Sequence, residues 1–354
     1  MDWKAYYGGE LRDVETRDKI KQWLLAADVA AAAAAMTDPR TVFSFPHTFA
    51  AASGPLQARV VAWLYRCGFK RVIALGVMHG SLMPVFQATA NERLSQQERL
   101  DAFAQIEGAF LPEADRLATP FGHLPVQRID LPLKGIRMDR QGLLETEFSL
   151  DTFHAILRFA ADVFDVAPMP VIPAYVGMTR NPVTGAFDTA TGLACWLRNQ
   201  WDDETAIVTT GDVVHYGRVY GSEIFNDSPL QLEAHFRHRL DVLLELALRE
   251  EQMETAFQMC KNELASDQRE ILPVLARLVG DQVGDCGEAQ IEAFELSDYA
   301  AIFETVPPCL VASALIVYKR HRTDQESRSN DPRHGSEIEQ DNWNPWRDGP
   351  GCHG

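Results

Sequence analysis

Short runs of β-branched and aromatic residues alternate with helical stretches through most of this chain, and that alternation constrains its fold more than any other feature. Residues 41–45 read as a strand that stops at Pro46-His47. Pro55 opens a helix through Leu56, Val60, Val61, Leu64 and Tyr65, which closes at Gly68. Residues 71–76 form a second strand, followed at once by Val77-Met78-His79-Gly80. The pattern recurs: a helix over 149–164 precedes a strand over 171–177, and a helix over 193–199 precedes a strand over 206–210 that ends at Gly211-Asp212. Such alternation predicts an α/β fold, three layers deep, with a mostly parallel (mixed) central sheet between helices. Ligands of open parallel sheets bind beyond the carboxyl ends of the strands, and His47, His79 and Asp212 stand at such ends.

The flanking regions read differently. The first forty residues suggest an irregular start and then an Ala-rich helix over 15–36, stopped by Asp38-Pro39. Long helices are expected over 229–264 and 270–280, and strands over 290–296 and 310–318. From residue 323 the chain is polar apart from Ile338, Trp343 and Trp346, so a disordered tail over 323–354 is expected after a single domain over 1–322. There is no internal repeat and no Gly-rich phosphate loop.

Composition excludes several classes of partner. A formal charge of −17 repels a phosphate backbone, and the only basic run is Lys319-Arg320-His321-Arg322, so no nucleic acid is expected to bind. The Ala-rich stretch over 23–36 contains Asp28 and is too short to cross a bilayer, and the sequence opens without a basic-then-apolar leader. A cytoplasmic protein with no membrane partner is the expectation. The six cysteines include no CxxC pair, which suits free thiols in a reducing compartment.

His47 and His79 lie about one strand–helix–strand unit apart, on what should be adjacent strands, so both imidazoles can face one crevice. Imidazole is the commonest side-chain metal ligand near neutral pH. Equally, each histidine can simply cap a strand or bond a loop carbonyl. Asp212 and His215 form a third cluster, within Thr210-Gly211-Asp212-Val213-Val214-His215-Tyr216-Gly217. An Asp–His couple can act as general acid or base, the carboxylate orienting the ring. The alternative has Asp212 capping the turn and His215 packing on Tyr216. Glu145 and Glu147 precede a helix, where negative charge is favourable by itself. No GxSxG elbow or Ser/His/Asp set points to a serine hydrolase.

In order, these clusters resemble the Memo family, called AmmeMemoRadiSam system protein B in prokaryotes. The matching stretches are Pro46-His47-Thr48-Phe49-Ala50 with Ser53-Gly54, then Leu75-Gly76-Val77-Met78-His79, then Glu147-Phe148-Ser149-Leu150-Asp151. Val171-Ile172-Pro173-Ala174-Tyr175-Val176-Gly177 and Thr209-Thr210-Gly211-Asp212-Val213-Val214-His215-Tyr216-Gly217 follow, so the resemblance spans residues 43–318. Memo proteins are similar in fold to the class III extradiol dioxygenases, whose iron is held by two histidines and a carboxylate. The resemblance therefore implies that His47 and His79 are metal ligands, that His215 moves protons, and that Asp212 is its acidic neighbour. Many members supply a cysteine as third ligand, in a Cys-Gly-Arg-x-Pro-Ile-x-Val-Leu segment. Here Arg269, Val274 and Leu275 keep that register and place Asp267 at the cysteine position, with Ala265 or Ser266 taking it under a gapped alignment. The chain departs from the family at Phe148, where a histidine is usual, at Thr48-Phe49-Ala50, and at its start, where Ala5-Tyr6-Tyr7-Gly8 only blurs the usual motif.

The implied cofactor is a divalent transition metal. Fe(II) suits two histidines and a carboxylate with open positions, and copper and zinc are the alternatives. The expected activity is that of a non-haem iron dioxygenase-like oxidoreductase acting on a small molecule. Two rivals remain: a non-enzymatic homologue that binds a ligand or peptide in the same pocket, and a metal-dependent hydrolase on a similar fold. A small-molecule substrate or ligand is the expected partner, with room for a homo-oligomer.

Overall fold

Four parallel strands build the centre of the sheet: β1 (Thr41–Phe45), β8 (Thr205–Thr210), β2 (Arg71–Val77) and β7 (Val171–Val176), in that spatial order. The computed structural model describes residues 2–27, 40–79, 83–130, 133–222, 224–225, 227–280 and 287–320. The expected tail over 323–354, and residues 28–39 with the Asp38-Pro39 stop, lie outside the described residues.

Beyond β7 the sheet continues through β3 (Ala109–Pro112), antiparallel to β7, and β6 (Ile136–Asp139), parallel to β3. On the other flank β11 (Cys309–Lys319) runs antiparallel to β1 and is bordered by β10 (Glu288–Asp298). β11 outruns β1, and its free stretch pairs with β9 (Val214–Gly217), which takes the lane that β1 vacates. A separate hairpin joins β4 (Arg116–Thr119) to β5 (Gly122–Pro125).

Alternate residues of the central strands point to opposite faces, and both faces are covered. Ile73, Leu75 and Val77 of β2, with Ile172, Ala174 and Val176 of β7, enter one core with the later helices. Those helices are α7 (Asp188–Gln200), α8 (Pro229–Ala247), α9 (Met253–Met259) and α10 (Leu272–Val279). Val72, Ala74, Phe43 and Phe45 enter the opposite core with α2 (Val14–Ala26), α3 (Ala50–Arg66), α5 (Gln96–Ile106) and α6 (Asp151–Phe164). The result is a three-layer α/β/α architecture with a mixed, mostly parallel sheet, as the alternation predicts. No helix among the described residues is long and apolar enough to cross a membrane. Among the described residues, Cys67, Cys260 and Cys309 are free thiols.

Several expectations need correction. β1 and β2 are not adjacent, because β8 inserts between them and pairs with both. The start is helical: α1 spans Trp3–Arg12 and α2 follows after Asp13, whose carboxylate caps it by accepting the Thr16 N–H. α3 begins at Ala50, with Pro55 inside its first two turns. The stretch over 229–264 divides into α8, α9 and a π turn over Cys260–Leu264. Helices α4 (Met83–Ala90) and α5 and strands β3 to β6 carry too weak a periodicity to be read from the sequence.

Candidate metal centre

The insertion of β8 is what assembles the site. His47 follows β1, Asp212 follows β8 and His79 follows β2, so three consecutive lanes of one parallel sheet present a polar side chain at the same edge. After β8 the chain crosses the end of β1, with the Gly211 N–H donating to the Phe45 carbonyl at 3.1 Å, and enters β9, which carries His215.

Asp267 arrives from elsewhere. It begins a 3-10 turn over Asp267–Glu270 that docks on this edge by side-chain and backbone bonds. The Asp267 N–H donates to the Asp212 carbonyl at 3.0 Å, and the buried Gln268 amide donates to Ser44 Oγ and, at 3.2 Å, to the Gly211 carbonyl. Glu270 accepts the Thr179 N–H at 2.9 Å, which ties the turn to the loop after β7. A Cβ on Gly211 would lie 2.6 Å from Gln268 Cγ, so this close approach depends on glycine there. The turn is capped by Ser266, which accepts the Gln268 N–H at 3.2 Å, leaving the Asp267 carboxylate free for another role.

That carboxylate is the focus of three imidazoles. Asp267 Oδ2 lies 3.3 Å from His47 Nε2, 3.7 Å from His79 Nε2 and 3.8 Å from His215 Nε2. His47, His79 and Asp267 each present a ligand atom within 4.8 Å of the other two. Metal bonds of about 2.0–2.2 Å to imidazole and carboxylate put neighbouring ligand atoms roughly 3–3.5 Å apart, so the trio needs little adjustment to hold an ion. The residues fit a divalent transition metal.

Supporting contacts orient two of the rings. His79 Nδ1 lies 2.9 Å from Glu147 Oε1, and its backbone N–H donates to Glu147 Oε2 at 2.6 Å. His215 Nδ1 lies 2.8 Å from the Ala265 carbonyl, which can only accept, so the proton is on Nδ1. In both rings the Nε2 lone pair is then turned toward Asp267 when the ring is neutral, the arrangement common in metal-binding histidines. Among the described residues His47 has no such support, and its buried Nδ1 has no partner there.

Glu147 is thus an orienting group for His79 as well as an acceptor at the helix start, the role its sequence position favours. It accepts the Phe148 and Ser149 N–H groups, both at 2.8 Å, ahead of α6, while Leu150 at the cap position makes no side-chain bond. The acidic residue in the matched Glu-Phe-Ser-Leu-Asp segment was the available signal. Gly76 lets this turn sit against β2, since a Cβ there would meet Ser149 Oγ at 2.7 Å.

Electrostatics follow the geometry. Burial disfavours charge on His79, but Glu147 and Asp267 outweigh it and raise its pKa to about 10. Glu147 is driven down to about 2 against its own burial, chiefly by His79. Burial likewise opposes ionisation of Asp267, yet His215, His47 and His79 hold it well below the usual carboxylate range. Asp212 is raised by burial and by the nearby Asp267, despite His47 and His215. Its Oδ1 accepts the His47 N–H at 3.2 Å, tying the ends of β1 and β8 together.

Aromatic rings wall the site. Phe148 stacks on His79 with centroids 4.5 Å apart and meets His47 edge-on at 6.0 Å. Tyr7 of α1 lies 5.5 Å from Phe148, and Trp3 stacks on Tyr7 at 5.7 Å. α1 is pinned by Lys4 Nζ, which donates to the Glu147 carbonyl at 3.0 Å, and by Glu10, which accepts the Ala50 N–H at 2.7 Å. On the other side the ring beside His215 is Tyr220, 4.9 Å away, and not Tyr216 as the alternative reading of that cluster had it. A cavity of about 520 Å³ shares Tyr220 and Ala265 with the surroundings of His215. Tyr220 has no motif to mark it, and Tyr7 falls only in the blurred start Ala5-Tyr6-Tyr7-Gly8. No protein-family model matches the chain, and no curated protein matches it.

Proposed function

We propose that the protein is a metal-binding member of the Memo family and a non-haem iron dioxygenase-like oxidoreductase for a small molecule. The observation that carries the metal reading is the convergence of His47 Nε2 and His79 Nε2 on the Asp267 carboxylate, at 3.3 and 3.7 Å. The family assignment rests on the five motifs in order, and the choice of Fe(II) on the two-nitrogen, one-carboxylate donor set.

In this reading His47, His79 and Asp267 hold the ion, with Glu147 keeping the His79 ring in place. When bound, the ion supplies the Lewis-acid and redox chemistry that activates dioxygen toward an oxidisable substrate. His215 takes a proton at Nε2, while its Nδ1–H stays on the Ala265 carbonyl and prevents the ring from turning. Asp212, buried and bonded to the His47 N–H, is the acidic neighbour of the imidazolium that forms. Phe148 and Tyr7 exclude water from one side of the site.

Anaerobic Fe(II) loading followed by elemental analysis should find iron bound through His47 and His79, and iron retained equally by wild type, His47→Ala and His79→Ala would defeat the metal reading. Oxygen uptake with catechol substrates then tests the oxygenase step. A protein that binds metal and substrate but consumes no oxygen points to the second reading, a non-catalytic ligand-binding homologue. Phe148 favours that reading, because it puts an apolar ring where the family carries a titratable one.

A further inference from the structure

Asp267 belongs to two sets of donors. Besides His47 and His79, it stands with Asp212 and His215, and in this second trio each residue also presents a ligand atom within 4.8 Å of the others. Asp212 is only 4% exposed. Among the described residues its Oδ1 accepts the His47 N–H, while Oδ2 lies 3.8 Å from His47 Nε2, beyond hydrogen-bonding range. His215 is fixed by the Ala265 carbonyl with Nε2 toward Asp267.

We infer that Asp212, His215 and Asp267 form a second, weaker divalent-cation position, bridged to the first through the Asp267 carboxylate. The inference rests on the reading of His47, His79 and Asp267 as the first position. A carboxylate has two oxygens and about four lone-pair sites, so it can serve two ions at once, and paired ions in such centres lie about 3.5–4 Å apart. A buried carboxylate without a counter-charge is costly, and a cation beside Asp212 removes that cost. Three features make this position the weaker one. It has one imidazole instead of two, it shares the charge of Asp267, and an ion in the first position repels the second.

The second position also has a consequence for chemistry. Its ligand on His215 is the same Nε2 lone pair that accepts a proton, so an ion bound there silences the base.

The test is equilibrium dialysis of the full chain against Mn(II) without oxygen, with elemental analysis and electron paramagnetic resonance of the bound ion. Wild type should take up about two ions per chain in two steps, the pair showing exchange coupling absent from the singly loaded protein. Asp212→Asn, which keeps the acceptor for the His47 N–H, and His215→Gln should each lose the weak ion and keep the tight one. His47→Ala should lose the tight one, and circular dichroism checks that every variant is folded. Saturation at one ion, unchanged by Asp212→Asn and His215→Gln, overturns the second position and leaves the first standing. Saturation at one ion that His215→Gln abolishes also overturns it, by assigning His215 to the first ion. Two uncoupled ions in wild type overturn the bridge, and no retained Mn(II) overturns both positions.

Discussion

The strand ends carrying His47, Asp212 and His79 and the turn carrying Asp267 reach one point by different means. The strand ends are set by a continuous parallel ladder, in which β8 bonds to β1 on one side and β2 on the other. Moving His47 relative to His79 would break that ladder and expose the buried residues of both strands. The Asp267 turn has no ladder. It is held by the Asp267 N–H on Asp212, by Gln268 on Ser44 and Gly211, and by Glu270 on Thr179. Each such bond contributes only about 0.5–1.5 kcal/mol net. The imidazoles therefore belong to a rigid shelf, and the carboxylate belongs to a clasp that a few side chains can loosen. The substitutions below probe that difference, ordered by expected effect on metal binding.

The shelf should show the largest effect. His47→Ala or His79→Ala removes one of three donors and should lower affinity by more than about 100-fold, beyond what loss of a supporting residue costs. Thermal stability should change far less, and isothermal titration under anaerobic conditions reads the affinity directly.

Asp267→Asn comes next and separates ligand from structural role. Ser266 already caps the turn, so the variant should melt near wild type while affinity drops by about 100-fold. Asp267→Cys should recover part of the binding, with a preference for softer ions. Unchanged affinity in Asp267→Asn would leave the clasp with no part in the centre.

Glu147→Gln tests the support behind the shelf. The amide can keep one bond to His79 but loses the charge, so affinity should fall by about 10–100-fold with the fold intact. Gly211→Ala acts on the clasp from below, because its Cβ must push Gln268 away. A smaller loss of affinity is expected, accompanied by faster amide exchange over 265–270 than over β1 or β8, and equal exchange in both regions would show that shelf and clasp move as one.

His154 provides a control with no expected effect on metal. It is buried on α6, but among the described residues no carboxylate faces it and its Nε2 has no partner, and burial pushes its pKa down to about 3. His79 moves the other way because Glu147 and Asp267 stand beside it. A base whose folded pKa is depressed contributes stability that is complete above its unfolded pKa near 6.5. That contribution drains away as pH falls toward 3, by about 1.4 kcal/mol per pH unit at most. Denaturant melts of His154→Leu should show a flatter decline than wild type over that window, and parallel curves would rule out this source of acid sensitivity.

Much of the shelf was legible in the sequence and little of the clasp was. Residues 41–45 and 206–210 read as strands because β-branched runs end at Pro46 and Gly211, signals contained in a few neighbouring residues. Asp267 was reached only by register, through Arg269, Val274 and Leu275, and its surroundings offered no period to read. Glu147 was visible as an acidic residue before a helix, but its bond to His79 spans 68 positions and nothing local announces it.

By itself the sequence determined the alternation of strands and helices, the two buried faces of the sheet, and the polar residues waiting at strand ends. These depend on side-chain period and turn chemistry, which act over a few residues. Only the tertiary structure decided that β8 would separate β1 from β2, that β9 would continue the lane of β1, and that the Asp267 turn would close over the edge. Those outcomes depend on which surfaces bury each other most completely across long separations. Pairing of β8 with two strands and docking of Gln268 beneath Gly211 are choices among alternatives that local propensity leaves equal in energy.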